Sequence, residues 1–154
     1  MFSRLSKNFI FEELTHTESH LPNVPTKKEI ANLTALVQNV LQPARDLLGS
    51  PIYVHSGFRS PEVNKQQGGT MRPLSQHCKG EAADLEVFDN AALFHLIYTN
   101  LPFDKLIWEG GNERQADWVH VSYKANRNRK QVLRMKIVNG KRLYEPIEKY
   151  NRLG

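Results

Sequence analysis

The sequence lacks the features that would announce several specialised classes of protein. Cys78 is the only cysteine among 154 residues, so no intramolecular disulfide can form and no thiolate zinc cluster can be built. No apolar run approaches the roughly 20 residues that a membrane-spanning helix needs. The stretch MFSRLSKNFIFEEL has two early cations, but Glu12 and Glu13 interrupt it before a signal-type apolar segment develops. Internal repeats, low-complexity tracts and long linkers are missing too. The expectation is one compact domain over 1–154, made in the cytoplasm without a signal peptide and not inserted in a membrane. Monomer is the default, and action outside the membrane would require release by another system.

What is present is ordinary in bulk and uneven in detail. Hydrophobic residues make up 40 % and charged residues 24 %, which excludes wholesale disorder. The formal charge of +5 favours anionic surroundings such as nucleic acid, phospholipid or the acidic polymers of a bacterial wall, and simple solubility explains it equally well. The run KANRNRK (124–130) concentrates this charge. No aromatic platform or recognition motif accompanies it, so a nucleic-acid reader is not expected. Attraction to wall polymers, weakened by salt, stands beside a plain solvated loop.

Residues 8–15 suggest a short helix. Thr26 and Glu29 form a capping box, and behind them Ile30, Leu33, Val37, Val40/Leu41, Ala44 and Leu47/Leu48 recur at three- and four-residue steps. That is the buried stripe of one long helix, kinked at Pro43 and stopped by Gly49 and Pro51. A strand over 51–58 follows, then a short helix opened by Ser60-Pro61 and closed by Gly68-Gly69. A loop over 70–79 leads to a strand over 81–88, and Asp89 caps a helix through about Tyr98. Strands over 104–109 and 118–124 pair as a hairpin. Asn139-Gly140 marks another between VLRMKIV and KRLYEPI. Helices first and hairpin-linked strands later predict an α+β fold with a mostly antiparallel sheet. A helical part (about 8–49) would be followed by the sheet and its site (about 51–124) and a terminal hairpin (about 131–147).

Six histidines compete for attention. His16 and His20 have a ligand-like spacing, but Thr17 stands where a zincin needs glutamate, and a proline follows; they read as surface residues. His55 and His95 read as structural. His120 lies in WVHVSY, whose alternation puts Trp118, His120 and Ser122 on one face and Val119 and Val121 on the other. In EAADLEV, Ala82, Asp84 and Glu86 likewise share a face. Asp84 then sits where an unpaired charge would cost several kcal/mol, so an arginine, a lysine or a metal ion must answer it. His77 lies just before, in a loop that Gly80 lets turn sharply. Two imidazoles and a carboxylate suit zinc with a fourth position open for water; Cys78 is an alternative soft ligand.

The blocks SGFRSPEVN (56–64), SQHCKGEAADLEV (75–87) and DWVHVSY (117–123), in this order, resemble the signature of the zinc D-Ala-D-Ala peptidase family. That family shares its fold with the hedgehog signalling domain and includes cell-wall carboxypeptidases and phage L-Ala-D-Glu peptidase endolysins. Its pattern S-x-H-x6-D with a late histidine is met by Ser75, His77, Asp84 and His120. The resemblance implies a hedgehog/DD-peptidase-like fold and one Zn²⁺ per chain held by His77, Asp84 and His120. It also implies a general base three residues before the last histidine, Asp117, with Glu109 as the alternative from strand pairing. Arg59 would stabilise the oxyanion or bind a substrate carboxylate; otherwise it is a surface partner of Glu62. Ser75 would bind substrate or merely brace the His77 loop. Trp118 would wall the cleft or simply pack. The implied activity is hydrolysis of amide bonds in peptidoglycan stem peptides, as a carboxypeptidase or an endopeptidase. The implied setting is the bacterial wall, as a phage-type lytic or virion protein. A non-catalytic, zinc-stabilised binding domain is the alternative.

Overall fold

A computed structural model describes residues 3–150; the first two and last four residues of the expected domain lie outside the described residues. The chain forms an α+β fold. Its helices are α1 (Phe11–Thr15), α2 (Lys27–Leu36), α3 (Gln42–Leu48), α4 (Pro61–Gln66) and α5 (Asn90–Asn100). Its strands are β1 (Tyr53–Ser56), β2 (Ala82–Glu86), β3 (Lys105–Glu109), β4 (Trp118–Ser122), β5 (Gln131–Val138) and β6 (Lys141–Pro146). They form one sheet in the order β1-β2-β4-β3-β5-β6. Every neighbouring pair is antiparallel except β3 and β5.

The capping box forms as the sequence predicts: Thr26 Oγ1 accepts from the Glu29 N–H and the Glu29 carboxylate accepts from the Thr26 N–H. The long helix behind it does not simply kink at Pro43. A π-helical turn, Val37–Leu41, separates α2 from α3. Proline lacks an N–H and crowds the carbonyl four residues earlier, and a wider turn just before it relieves both problems. The extra residue also shifts the phase of the stripe. Leu33, Leu36, Val37, Val40, Leu41 and Ala44 are fully buried, whereas Leu47 is 57 % exposed and Leu48 packs inward instead.

One face of the sheet carries Ala83, Leu85, Leu106, Trp108, Val119 and Val121, which merge with the helices into a single apolar cluster. The opposite face holds only a small second cluster of Ile107, Leu133 and Met135. That split is the period-2 alternation of the strands made physical, and it leaves the second face available for polar work.

Two connections differ from a plain hairpin series. Residues 123–130 carry the chain from β4 over β3 to its far side, so β5 runs parallel to β3. The stretch 70–79 is not all loop, because Gln76–Lys79 winds into a 3₁₀ turn capped by Ser75. Both connections are tied to one carboxylate. Asp104, fully buried just before β3, accepts from the Arg129 backbone N–H at 2.9 Å, from Arg129 Nε and Nη2 at 3.1 and 2.7 Å, and from Gln76 Nε2 at 3.0 Å. The terminal hairpin turns at Asn139 and Gly140, both at positive φ (52° and 74°), as a two-residue turn that continues strand twist requires.

Burial raises the Asp104 pKa, but the hydrogen bonds from Arg129 outweigh it and pull the group from 3.8 down to about 2. A depressed carboxylate stabilises the fold above its unfolded pKa, and that contribution is lost as pH falls through the folded value. Asp104→Ala is expected to cost about 2 kcal/mol, below the range for a fully buried pair because Arg129 is half exposed. Urea unfolding from pH 7 to pH 2 checks this: wild-type stability should fall between about pH 4 and 2, and the variant should lose that part of the slope.

Candidate metal centre and catalytic cleft

Asp84 on β2 and His120 on β4 are directly paired across the sheet, so both side chains rise from the same face. His77 comes from the 3₁₀ turn. That turn ends at Gly80, whose φ of +72° and close approach to the Glu29 carbonyl exclude a side chain: a Cβ there would lie 2.3 Å from that oxygen. The three side chains converge, with His77 Nε2 3.3 Å from Asp84 Oδ2 and His120 Nδ1 3.0 Å from Asp84 Oδ1. One donor atom from each lies within 4.8 Å of the others. Of the six histidines, only these two enter such a group among the described residues. His16 and His20 are exposed, His55 bonds Glu86 on the sheet edge, and His95 packs against Tyr150. Cys78 is buried outside the group, its thiol pushed up by burial.

The donor set fits a metal ion on chemical grounds. His77 Nδ1 lies 2.8 Å from the Gly57 carbonyl. A carbonyl can only accept, so this nitrogen carries the proton and, in neutral imidazole, Nε2 presents a lone pair. That lone pair faces a carboxylate, an arrangement that requires a proton or a cation in between. The same backbone contact is how metal-binding histidines are usually oriented. Burial opposes ionisation of Asp84, but the charge of His77 and the hydrogen bonds from both imidazoles hold it well below the usual carboxylate range. The residues that could hold the ion are therefore His77, Asp84 and His120, as the sequence predicts.

Around this centre lies a cleft of about 640 Å³. Arg59, Ser75, Glu109 and Trp118 line it, and Asp117 does not. The Arg59 backbone N–H donates to the His77 carbonyl at 3.1 Å, and its Nη1 reaches Gln67 (3.4 Å) rather than Glu62. Arg59 Nε and Trp118 Nε1 are buried without hydrogen-bond partners among the described residues. Ser75 Oγ accepts from the His77 N–H at 3.2 Å, so it braces the metal-ligand turn whatever else it does.

The two candidate acids have different surroundings. Asp117 is exposed, and its carboxylate accepts from the Gly111 N–H at 3.0 Å, clamping the 110–117 loop. An odd offset of three along an extended segment turns it away from the face of His120. Glu109 pairs with Trp118 two positions from the Ile107–His120 pair, which puts it on the face of the metal-ligand group. It is only 6 % exposed. Burial raises its pKa to about 7; the charge of Asp84 adds to this, and His120, Arg142 and Arg59 oppose it.

Six cations also line the cleft: Arg59, Lys79, Lys105, Lys124, Arg129 and Arg142. Lys124 and Arg129 come from the basic run noted in the sequence. Arg142 and Tyr144, from β6, were not foreseen. The alternation of KRLYEP places them on one face, but which face follows only from the parallel β3–β5 register.

Two imidazoles and a carboxylate in an open cleft, with a buried acid nearby, form a group that could hold a metal ion. A family model described as Peptidase M15 matches residues 7–122. The chain belongs to this family, the zinc D-Ala-D-Ala peptidases, and the three metal-ligand candidates and the buried acid all fall inside the matched span. Comparison with curated proteins found no match.

Zinc titration of the metal-free protein should show one tight site per chain. His77→Ala, Asp84→Ala or His120→Ala should each weaken it at least about 100-fold, whereas Glu109→Gln leaves it within a few-fold. Calorimetric stoichiometry checks both. A second outcome follows from Glu109. Between about pH 4.5 and 7 the folded protein binds more protons at this group than the unfolded chain does, so stability of the metal-free protein falls as pH rises. Metal-free Glu109→Gln should therefore be more stable than wild type at pH 8, by on the order of 2 kcal/mol, and equal to it near pH 4. Thermal melts at the two pH values decide it.

Proposed function

We propose that the protein is a zinc peptidase that hydrolyses an amide bond in peptidoglycan stem peptides, with Glu109 as its general base. The observation that supports this most directly is a buried carboxylate on the same sheet face as His120 and Asp84, inside the cleft that holds them. Bound at His77, Asp84 and His120, zinc supplies a Lewis acid and makes water nucleophilic near neutral pH.

In this reading Glu109 takes a proton from the attacking water and returns it to the amine nitrogen as the C–N bond breaks. A pKa near neutrality suits both directions of transfer. Arg59 meets the carbonyl oxygen as negative charge builds there, which would give its unpartnered Nε an acceptor. Ser75 fixes the His77 turn, and Trp118 forms one wall. The cations of the rim, chiefly Lys79, Lys105 and Lys124, draw an acidic substrate inward. The protein would act where that polymer lies, at the bacterial wall.

Purified peptidoglycan incubated with the zinc-loaded protein should release amino groups, and a chelator should stop it. Glu109→Gln should lower turnover by about 100-fold or more with zinc still bound, and Asp117→Asn by less than about threefold. Loss of turnover in Asp117→Asn with full activity in Glu109→Gln would exchange the two roles. Binding of wall without chelator-sensitive release would replace the peptidase with a binding domain.

A further inference from the structure

The last two strands do more than extend the sheet. They lie beyond the segment matched by the family model, yet they form one side of the cleft. The register across the sheet explains how. Trp118 stands opposite Glu109, Glu109 beside Met135, and Met135 opposite Tyr144. Directly paired residues share a face, so Tyr144, and Arg142 two residues before it, face the cleft side together with Glu109. Both line the cleft.

The hairpin treats its cations differently on its two faces. On the face away from the cleft, Arg134 pairs with Glu113 at 3.0 Å and Lys136 with Glu145 at 3.2 Å. Arg142, on the cleft face, has no carboxylate within ion-pair distance among the described residues. Its guanidinium lies beside the phenol of Tyr144 and contributes to the field at Glu109. An arginine oriented by a tyrosine, at the rim of a cleft and lacking an internal counter-ion, has the donor fork that a carboxylate fits.

We propose that Arg142 and Tyr144 are specificity-determining residues that bind a second carboxylate of the peptide substrate, remote from the bond that is cut. The proposal rests on the reading of the site as a peptide-binding cleft. Two strand spacings separate β3 from β6, so Tyr144 stands roughly 10 Å from Glu109 across the sheet. An extended peptide covers that distance in about three residues. The group recognised is thus a side-chain or terminal carboxylate about three residues from the scissile amide, and Arg59 remains free to serve the reacting carbonyl.

The test uses the full chain, zinc-loaded, carrying Glu109→Gln to block turnover. The probes are the peptide L-Ala-γ-D-Glu-L-Lys-D-Ala-D-Ala and two analogues, one amidated at the glutamate α-carboxylate and the other at the C-terminus. Binding of the fully ionised peptide should be roughly tenfold tighter than binding of one analogue. Adding Arg142→Ala should abolish that preference while changing affinity for the same analogue less than about twofold, and Arg142→Lys should restore part of it. Tyr144→Phe should reduce the preference without removing it.

Equal affinity for all three probes, no measurable binding, retention of the preference in Arg142→Ala, or equal weakening of every probe would each overturn the proposal. Hydrolysis of the probes by the protein with Glu109 intact is a separate readout. Its absence alongside an Arg142-dependent preference would defeat the peptidase reading and leave this one standing.

Discussion

The site depends on one carboxylate whose negative charge the fold holds largely out of water between two imidazoles. Asp84 sits at a strand position where its neighbours Ala83 and Leu85 are buried in the main core, so the side chain cannot swing away without dragging β2 out of register. The His77 proton is committed to the Gly57 carbonyl. Positive charge must therefore be supplied between Asp84 and His77, as a proton or as a metal ion. The rest of the site is arranged around that requirement: the glycine-terminated turn that delivers His77 and the direct pairing that delivers His120.

The sheet keeps two environments apart with very little material. Alternation along β2, β3 and β4 sends Leu85, Leu106, Val119 and Val121 into the helices and sends Asp84, Glu109 and His120 the other way. A one-residue slip in any of these strands would bury the acids and expose the core, so the apolar face enforces the geometry of the polar one. Asp104 adds a second constraint. It binds Gln76, the residue before His77, and Arg129 in the crossover to β5, joining the loop that carries a metal-ligand candidate to the loop that positions the last wall of the cleft.

Much of this could be read from residues alone, because the decisive signals are local. The capping box at Thr26, the Ser60-Pro61 helix start and the Asn139-Gly140 turn each specify their own geometry within four residues, and each formed. The metal-ligand group was legible because two strands and one loop carried polar residues at positions that alternation or a glycine turn made unusual. What escaped were consequences of pairing between distant segments. The parallel placement of β5, and with it the location of Arg142 and Tyr144, depends on a crossover that no residue in 131–146 encodes. The sequence leaves the acid of the site between two residues: the family resemblance points to Asp117, three positions before His120, whereas the pairing of β3 with β4 puts Glu109 on the face of His120.

That last difference has a physical consequence for how the site would work. An acid that is nearly fully buried beside another carboxylate, as Glu109 is, holds its proton up to about neutral pH. Part of the rise comes from Asp84 and part of the opposing pull from His120, the same side chains that would hold the ion. A cation bound there cancels the charge of Asp84 and favours the ionised form of Glu109. Metal binding and ionisation of Glu109 are then two aspects of one electrostatic balance. Burial of Glu109 lowers the stability of the metal-free protein and at the same time makes this acid responsive to a cation held beside Asp84.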